Sequence, residues 1–260
     1  IKSLKMHDSS FLNLEYFFYE YFDHQEDKKL IILDIGSQTS DNEKLKKYKD
    51  IFPQNTEYLG IDLVKANNVD IVLNDFYTYP FDDNYADVIV ANSIFEHSEF
   101  FWVLYLELLR VLKPDGILYI NAPSNGDFHR GSHVDVYRFY PDTGKALEKW
   151  GKLNNFPNLL LLESYTSKQI NKKWNDFVAI FLKNEKYVDK YPNRIVDKFK
   201  LFSNGTTNRN DGFINYEVLT EDHQKLLNKQ YISRLNIFLR KNIKRMLIFL
   251  GFKKLFDKRT

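Results

Sequence analysis

Short apolar runs alternate with polar, helix-compatible stretches through the first 183 residues. Leu30–Ile35 is too brief for a helix and is bounded by Gly36, so it predicts a buried strand. Tyr58–Leu63, Ile71–Leu73, the valine-bearing Asp87–Ala91 and Ile117–Ala122 predict four more. Leu159–Tyr165 and Phe177–Leu182, separated by polar Thr166–Asp176, predict a closing antiparallel pair. Helices fall between and before them. Ser9–Phe22 carries Leu12, Tyr16, Tyr19 and Phe22 at three- and four-residue spacing. Asp41–Lys49 is polar and helix-compatible. Phe100–Leu112 has Trp102, Leu106, Leu109 and Val111 to bury, and Lys113-Pro114-Asp115-Gly116 should stop it in a turn. Pro141–Trp150 starts with proline, which suits a first helical turn. Strands alternating with helices predict an α/β fold: a doubly wound, mostly parallel, seven-stranded sheet.

Past Lys183 the strand signals fade, and the turn-rich Asn204–Gly212 reads as a mobile loop. Ile232, Leu235, Leu239, Ile243, Met246 and Leu250 return to helical spacing. Arg234, Arg240, Lys241, Lys244 and Arg245 accompany them, and Gly251 can end the helix. The pattern divides the chain into an N-terminal helical segment (1–29), a cofactor-binding catalytic domain (30–183) and a helical C-terminal extension (184–260).

Charge sharpens the view of that extension. The net charge of the chain is +2, yet Lys229 to Thr260 holds ten Lys or Arg and one acid, Asp257. The body before it is therefore acidic, which argues against a nucleic-acid partner, whose binder should carry its basic patch around the working site. The basic, apolar tail suits peripheral contact with anionic lipid or packing in a homo-oligomer. The start has no signal-peptide pattern, and no apolar run reaches the ~20 residues needed to span a bilayer. A cytoplasmic location is expected. The chain has no cysteine, which excludes disulfides, thiolate metal sites and cysteine nucleophiles.

The chemistry gathers where predicted strands end. In open α/β sheets ligands bind at the carboxyl ends of the strands, near a switch in strand order. Asp34, Gly36 and Ser37 end the first strand. The stretch after Gly36 lacks the later glycines of a dinucleotide fingerprint and the Gly-Lys-Ser/Thr of a phosphate loop, so a pyrophosphate ligand is disfavoured. Asp62 and Leu63 end the second strand, where an acid can accept from two ribose hydroxyls. Asp75 and Phe76 follow the third, a carboxylate for an adenine amino group and a ring to cover its face. Asn92 and Ser93 follow the fourth. These nine positions are the expected cofactor contacts, and a nucleoside-bearing cofactor is what they suit.

The motifs LIILDIG (residues 30–36), YLGID (58–62), IVLNDF (71–76), FDDNYADVIVANSIFEH (81–97) and RVLKPDGILYINAPS (110–124) together resemble the class I S-adenosylmethionine-dependent methyltransferases. The resemblance covers about Leu30 to Leu182. It implies a Rossmann-like methyltransferase fold and S-adenosyl-L-methionine as cofactor. It also implies that Asp34 and Gly36 hold the methionine part, Asp62 the ribose, and Asp75 with Phe76 the adenine. A narrower resemblance is carried by HDSS (7–10), EHSEFFWVLYLELLRVLKP (96–114) and APSNGDFHRGSHVDVYRFYPDTGKAL (122–147). These look like a bacterial branch linked to surface-polysaccharide or other glycoconjugate synthesis.

The loop after the fifth strand supplies the substrate side. His129, Arg130, His133, Asp135 and Arg138 lie within ten positions. Methyl transfer to a hydroxyl needs alignment and removal of a proton, and histidine suits that near neutral pH. His97, His129 and His133 are the candidate bases. Arg130, Asp135 and Arg138 are the candidate substrate contacts, the arginines suiting a phosphate. His129, His133 and Asp135 also carry metal-ligand chemistry, but on an unpatterned loop no metal is expected. The expected activity is O-methylation of a small polar acceptor: a sugar, a sugar nucleotide or a phosphorylated intermediate. The alternative is a non-catalytic, cofactor-binding partner of a membrane-associated glycan assembly.

Overall fold

Two apolar faces and one sheet explain most of the sequence pattern. The computed structural model describes residues 8–23, 29–38, 50–53, 55–130, 133–168 and 174–249. The sheet comprises β1 (Leu30–Ile35), β2 (Thr56–Asp62), β3 (Ile71–Val72), β4 (Ala86–Asn92), β5 (Leu112–Pro123), β6 (Leu160–Ser167), β7 (Asp176–Leu182), β8 (Phe202–Thr207) and β9 (Asn210–Ile214). The helices are α1 (Asp8–Phe22), α2 (Phe101–Val111), α3 (Asp142–Leu153), α4 (Ile195–Lys198) and α5 (Glu221–Phe249). The expected helix Asp41–Lys49 lies outside the described residues.

The strand order is β3-β2-β1-β4-β5-β7-β6-β8-β9. β1 to β5 pair in parallel, and β7, β6, β8 and β9 add antiparallel. This is the Rossmann-like, doubly wound sheet expected. On β4, Val88 and Val90 turn to one face with Ile32, Tyr119 and the aromatic residues of α1. Ile89 and Ala91 turn to the other with Leu33, Ile120 and Leu104, Leu108 and Leu109 of α2. Both faces are covered, which is why the central strands read as unbroken apolar runs.

Five expectations change. The sheet has nine strands rather than seven, because Asn204–Gly212 is not a mobile loop but most of the β8–β9 hairpin. Ser203, Thr206 and Thr207 are buried polar residues of β8, which pairs with β6, so a polar sequence hides an inner strand. Lys113–Gly116 is not a turn. β5 starts at Leu112 directly after α2, and the register with β4 jumps from Ala86↔Leu112 to Val88↔Ile117, so proline and glycine sit in a wide bulge.

The buried face of α1 is Leu14, Phe17, Phe18, Tyr21 and the expected Phe22, whereas Tyr19 is 56% exposed. On α2, Leu104, Tyr105 and Leu108 are buried in place of Trp102, which is exposed, and Leu106, which is half-buried. In both helices several stripes satisfy the spacing, and contact with the sheet selects one. Finally, the first compact unit runs Ile1–Tyr216, so α1 and the β8–β9 hairpin belong to the same body as the sheet, across the expected boundaries at 29/30 and 183/184.

The second unit is Glu217–Thr260. Its helix α5 has 29 residues and exposes Leu227, Tyr231, Leu235 and Phe238 among others. No helix among the described residues is long and apolar enough to cross a membrane.

A buried acid ties the added parts to the sheet. Glu163 on β6 accepts from the Tyr21 hydroxyl of α1 (2.7 Å) and from the Ile195 and Val196 N–H groups that open α4 (2.9 and 3.1 Å). Beside it the buried Arg194 donates to the Leu162 and Tyr191 carbonyls and to Asn208. Burial pushes the Glu163 carboxyl upward in pKa, partly offset by those three donors. Glu163→Leu strands three donors, each costing about 1–3 kcal/mol when buried and unpaired. The expected loss is at least ~3 kcal/mol by urea denaturation. Tyr21→Phe, which strands no donor, should cost less than half as much.

Candidate active site

The parallel half of the sheet reverses its winding between β1 and β4, so the loops leaving those two strands diverge and open a crevice at their carboxyl ends. On one side is Gly36, at φ +79°, a region that L side chains rarely adopt. A Cβ there would lie 3.3 Å from Ile94 and 3.7 Å from the Asn92 carbonyl, so the glycine keeps the floor of the crevice open. The Gly36 and Ser37 N–H groups both donate to the Ile61 carbonyl (2.9 and 3.2 Å). Across the crevice, Ser93 sits at φ +56°, a strained geometry for a non-glycine residue, and its N–H donates to Asn121 (2.8 Å). This kink turns the chain from β4 into the 3-10 turn Phe95–His97.

The strand-end acids divide by environment. Asp34 is 2% exposed and accepts from the Tyr58 hydroxyl (2.6 Å), which in turn accepts from Asn68 (2.6 Å). Asn68 and Ser37 exchange two further bonds, so Asp34 and Ser37 organise the loops after β1 and β2 from beneath. Asp62 is half-buried and bridges the same loops: Oδ2 accepts from Gln38 N–H (3.2 Å), Oδ1 from Leu63 N–H (2.7 Å). Asp75 is exposed and accepts from Tyr77 N–H (2.6 Å), leaving its second oxygen without a hydrogen bond. Phe76 lies half-buried, its ring 6.4 Å from that of His133. Asn92 is buried and accepts from Ser10 of α1 (2.6 Å).

That last bond belongs to a polar edge that sequence reasoning missed. Ser9 donates to Asp176, Ser10 to Asn92 and Asn13 to Asn121 (2.9 Å), while Ser167 donates to Asn13 (2.7 Å). The face of α1 opposite the solvent thus clamps the carboxyl ends of β4, β5 and β6 and the amino end of the antiparallel β7. The signal in the sequence was the pair of small polar residues one turn before the apolar stripe. Tyr58, Asn68 and Trp174 were also missed, because each acts only across the fold.

The three expected histidines do converge. The loop after β5 folds back over the 3-10 turn, with Val136 N–H donating to the Glu96 carbonyl (2.8 Å) and Phe139 N–H to Pro123 (3.0 Å). The His97 ring lies 5.2 Å from that of His129 and 6.1 Å from that of His133. Their states differ. His97 is buried and bonded through Nδ1 to the Val134 carbonyl, and burial lowers its pKa. His129 stacks edge-on against Trp174 at 5.3 Å, with Nδ1 3.2 Å from Asp135. His133 is half-buried and makes ring contacts but no hydrogen bond among the described residues.

Two of the three expected substrate contacts serve the loop instead. Arg138 binds Asp135 with both terminal nitrogens (2.6 and 2.8 Å) and donates to the Tyr137 and Asp127 carbonyls. Burial raises the Asp135 pKa, but Arg138 and the His129 N–H outweigh it and hold the carboxyl at about 2. Arg130 is exposed and forms no ion pair among the described residues. The third anchor of the loop is Gly126, at φ +107°, where a Cβ would fall 1.9 Å from the Trp174 ring.

Known proteins were compared with this chain. Residues 33–120 match the family model described as a methyltransferase domain. No curated protein matches the chain in sequence. Among solved structures, a SAM-dependent methyltransferase from Aquifex aeolicus is 16% identical, covering 68% of this chain and 100% of its own, with a TM-score of 0.44. The Burkholderia thailandensis 1,6-didemethyltoxoflavin-N1-methyltransferase, with its substrate and S-adenosylhomocysteine bound, is 12% identical over 71% of this chain and 93% of its own, with a TM-score of 0.45.

The Asp135–Arg138 pair gives a direct test of the loop. Asp135 has a side chain only 1% exposed. Removing one partner of a buried pair typically costs about 3–5 kcal/mol. Arg138→Met should therefore destabilise the fold by about 3 kcal/mol in urea denaturation. It should also red-shift the fluorescence of Trp174 when Trp102 and Trp150 are replaced by Phe. The strand order and the crevice agree with the match of residues 33–120 to a methyltransferase domain.

Proposed function

We propose that this chain transfers a methyl group to a hydroxyl oxygen of a small polar acceptor. The acceptor class is a sugar, a sugar nucleotide or a phosphorylated intermediate of surface-polysaccharide synthesis. The observation that carries the reading is the convergence of three histidines at the carboxyl edge of the sheet, beside the switch point. The glycan assignment is supported by the motif run from residue 122 to 147.

The cofactor residues fit their role. Gly36 leaves the crevice floor clear. Asp62 presents a half-buried carboxylate for ribose hydroxyls, with Leu63 beside it, and Asp75 and Phe76 flank the expected adenine position. Bound S-adenosyl-L-methionine supplies an electrophilic methyl on a sulfonium. The protein's tasks are to align the acceptor, exclude water and take up the hydroxyl proton. Of the three histidines, His133 suits the last task best. Its ring nitrogens make no hydrogen bond among the described residues, whereas His97 is bonded to Val134 and His129 lies against Asp135. Arg130, exposed on the same loop and without an ion pair among the described residues, suits a substrate phosphate.

Two measurements test this. Calorimetry with S-adenosylhomocysteine should show binding that Asp62→Ala weakens by about 2–4 kcal/mol, the loss of two hydrogen bonds to a charged acceptor. With an acceptor found by screening glycan intermediates against labelled cofactor, His133→Ala should lower kcat by roughly 10²–10⁴-fold with little change in cofactor affinity. Cofactor binding without any turnover would leave the non-catalytic partner as the reading. Unchanged kcat in His133→Ala would remove this residue as the base.

A further inference from the structure

We propose that Glu96, His97 and His129 form a divalent-metal site at the carboxyl edge of β4, taking a borderline cation such as Mn²⁺, Fe²⁺, Co²⁺ or Zn²⁺. The donor atoms of these three residues lie within 4.8 Å of one another. Two ligands about 2.1 Å from one tetrahedral ion stand roughly 3.4 Å apart, so a small side-chain adjustment closes the shell.

The electrostatics of the cluster call for a cation. Glu96 is 1% exposed, and its Oε2 has no hydrogen-bond partner among the described residues. Its Oε1 faces His97 Nε2 at 3.7 Å, beyond hydrogen-bond distance. The Val134 carbonyl bonded to His97 Nδ1 can only accept, so Nδ1 carries the proton and Nε2 presents a lone pair. A buried carboxylate and a neutral imidazole thus point electron pairs at the same gap. Arg138 lends its charge to the cluster from nearby, but its terminal nitrogens serve Asp135, His129 Nδ1 and backbone carbonyls, and it forms no ion pair with Glu96 among the described residues.

The surroundings complete the picture. His129 Nδ1 is held between Asp135 (3.2 Å) and the Arg138 guanidinium (3.3 Å), outer contacts that orient the ring beside the cluster. The Ser93 kink aims the 3-10 turn so that Glu96 and His97, adjacent in sequence, both reach the cluster. Two imidazoles and one carboxylate favour borderline ions over Mg²⁺. Three protein ligands leave coordination positions for oxygen, as catalytic metal sites do. The ion's service, which rests on the proposed O-methylation, is to hold the acceptor hydroxyl beside His133.

The experiment uses the metal alone as probe. The full chain, stripped with chelator, is titrated with Co²⁺ and followed by visible d–d absorption, with Mn²⁺ electron paramagnetic resonance in parallel. The expected result is one ion per chain. Glu96→Gln, which keeps shape, and His129→Ala, on the half-buried loop, should each weaken binding by more than ~10-fold, the loss that even outer-shell partners produce. Absence of binding by the parent chain, or binding unchanged in both variants, overturns the site. S-adenosylhomocysteine calorimetry on the same samples separates the two readings. Metal binding without cofactor binding removes the methyl-transfer reading and keeps the ion site, and the converse does the opposite.

Discussion

The carboxyl edge of this protein depends on one topological constraint, the reversal of winding between β1 and β4. Because β1 lies between β2 and β4, the chain must leave it on one side and later return on the other. The loops after these strands cannot pack on each other as they would after consecutive neighbours. Two unusual backbone positions make the opening workable, Gly36 at φ +79° and Ser93 at φ +56°. The first clears space, and the second bends β4 into a turn that carries Glu96 and His97. Strain at Ser93 is tolerated because Asn121 on the neighbouring strand fixes it.

The edge is also held from outside the parallel sheet. The polar side of α1 reaches four strand ends, and its apolar side packs on the β5–β7 face. Glu163 extends the same arrangement to α4, which in turn lies near the β8–β9 hairpin through Arg194 and Asn208. The elements before and after the parallel strands therefore act on the crevice by fixing the strands that carry it. The loop after β5 is clamped by Asp135, Arg138 and Trp174, and it carries Arg130 and two of the clustered histidines.

The histidines illustrate how one residue type takes different states within a few ångströms. His97 is neutral because it is buried and bonded to a carbonyl. His129 is placed by an ionised carboxylate. His133 has neither constraint. General-base chemistry suits the last, and lone-pair donation suits the first two. Glu96 adds a buried carboxyl that feels the Arg138 charge but forms no ion pair with it among the described residues.

Much of this was legible in the residues. Period and punctuation located β1 without error, because a six-residue apolar run ending in Asp34-Ile35-Gly36 admits no helix. The order of strand-end acids pointed to a nucleoside-bearing cofactor, and adjacency in the loop grouped His129 with His133. Other features needed the fold. Polar β8 reads as a loop until β6 supplies its hydrogen bonds. Proline and glycine in Lys113–Gly116 read as a turn until pairing with β4 turns them into a bulge. Asp135 and Arg138 read as substrate contacts until they meet each other. Spacing along the chain records which side chains share a face and which loops follow strands. Partnership of buried polar groups is set by distances between residues far apart in sequence, such as Ser10 with Asn92 or Tyr21 with Glu163. Only the closed tertiary structure decides which charges are already satisfied and which remain to bind something else.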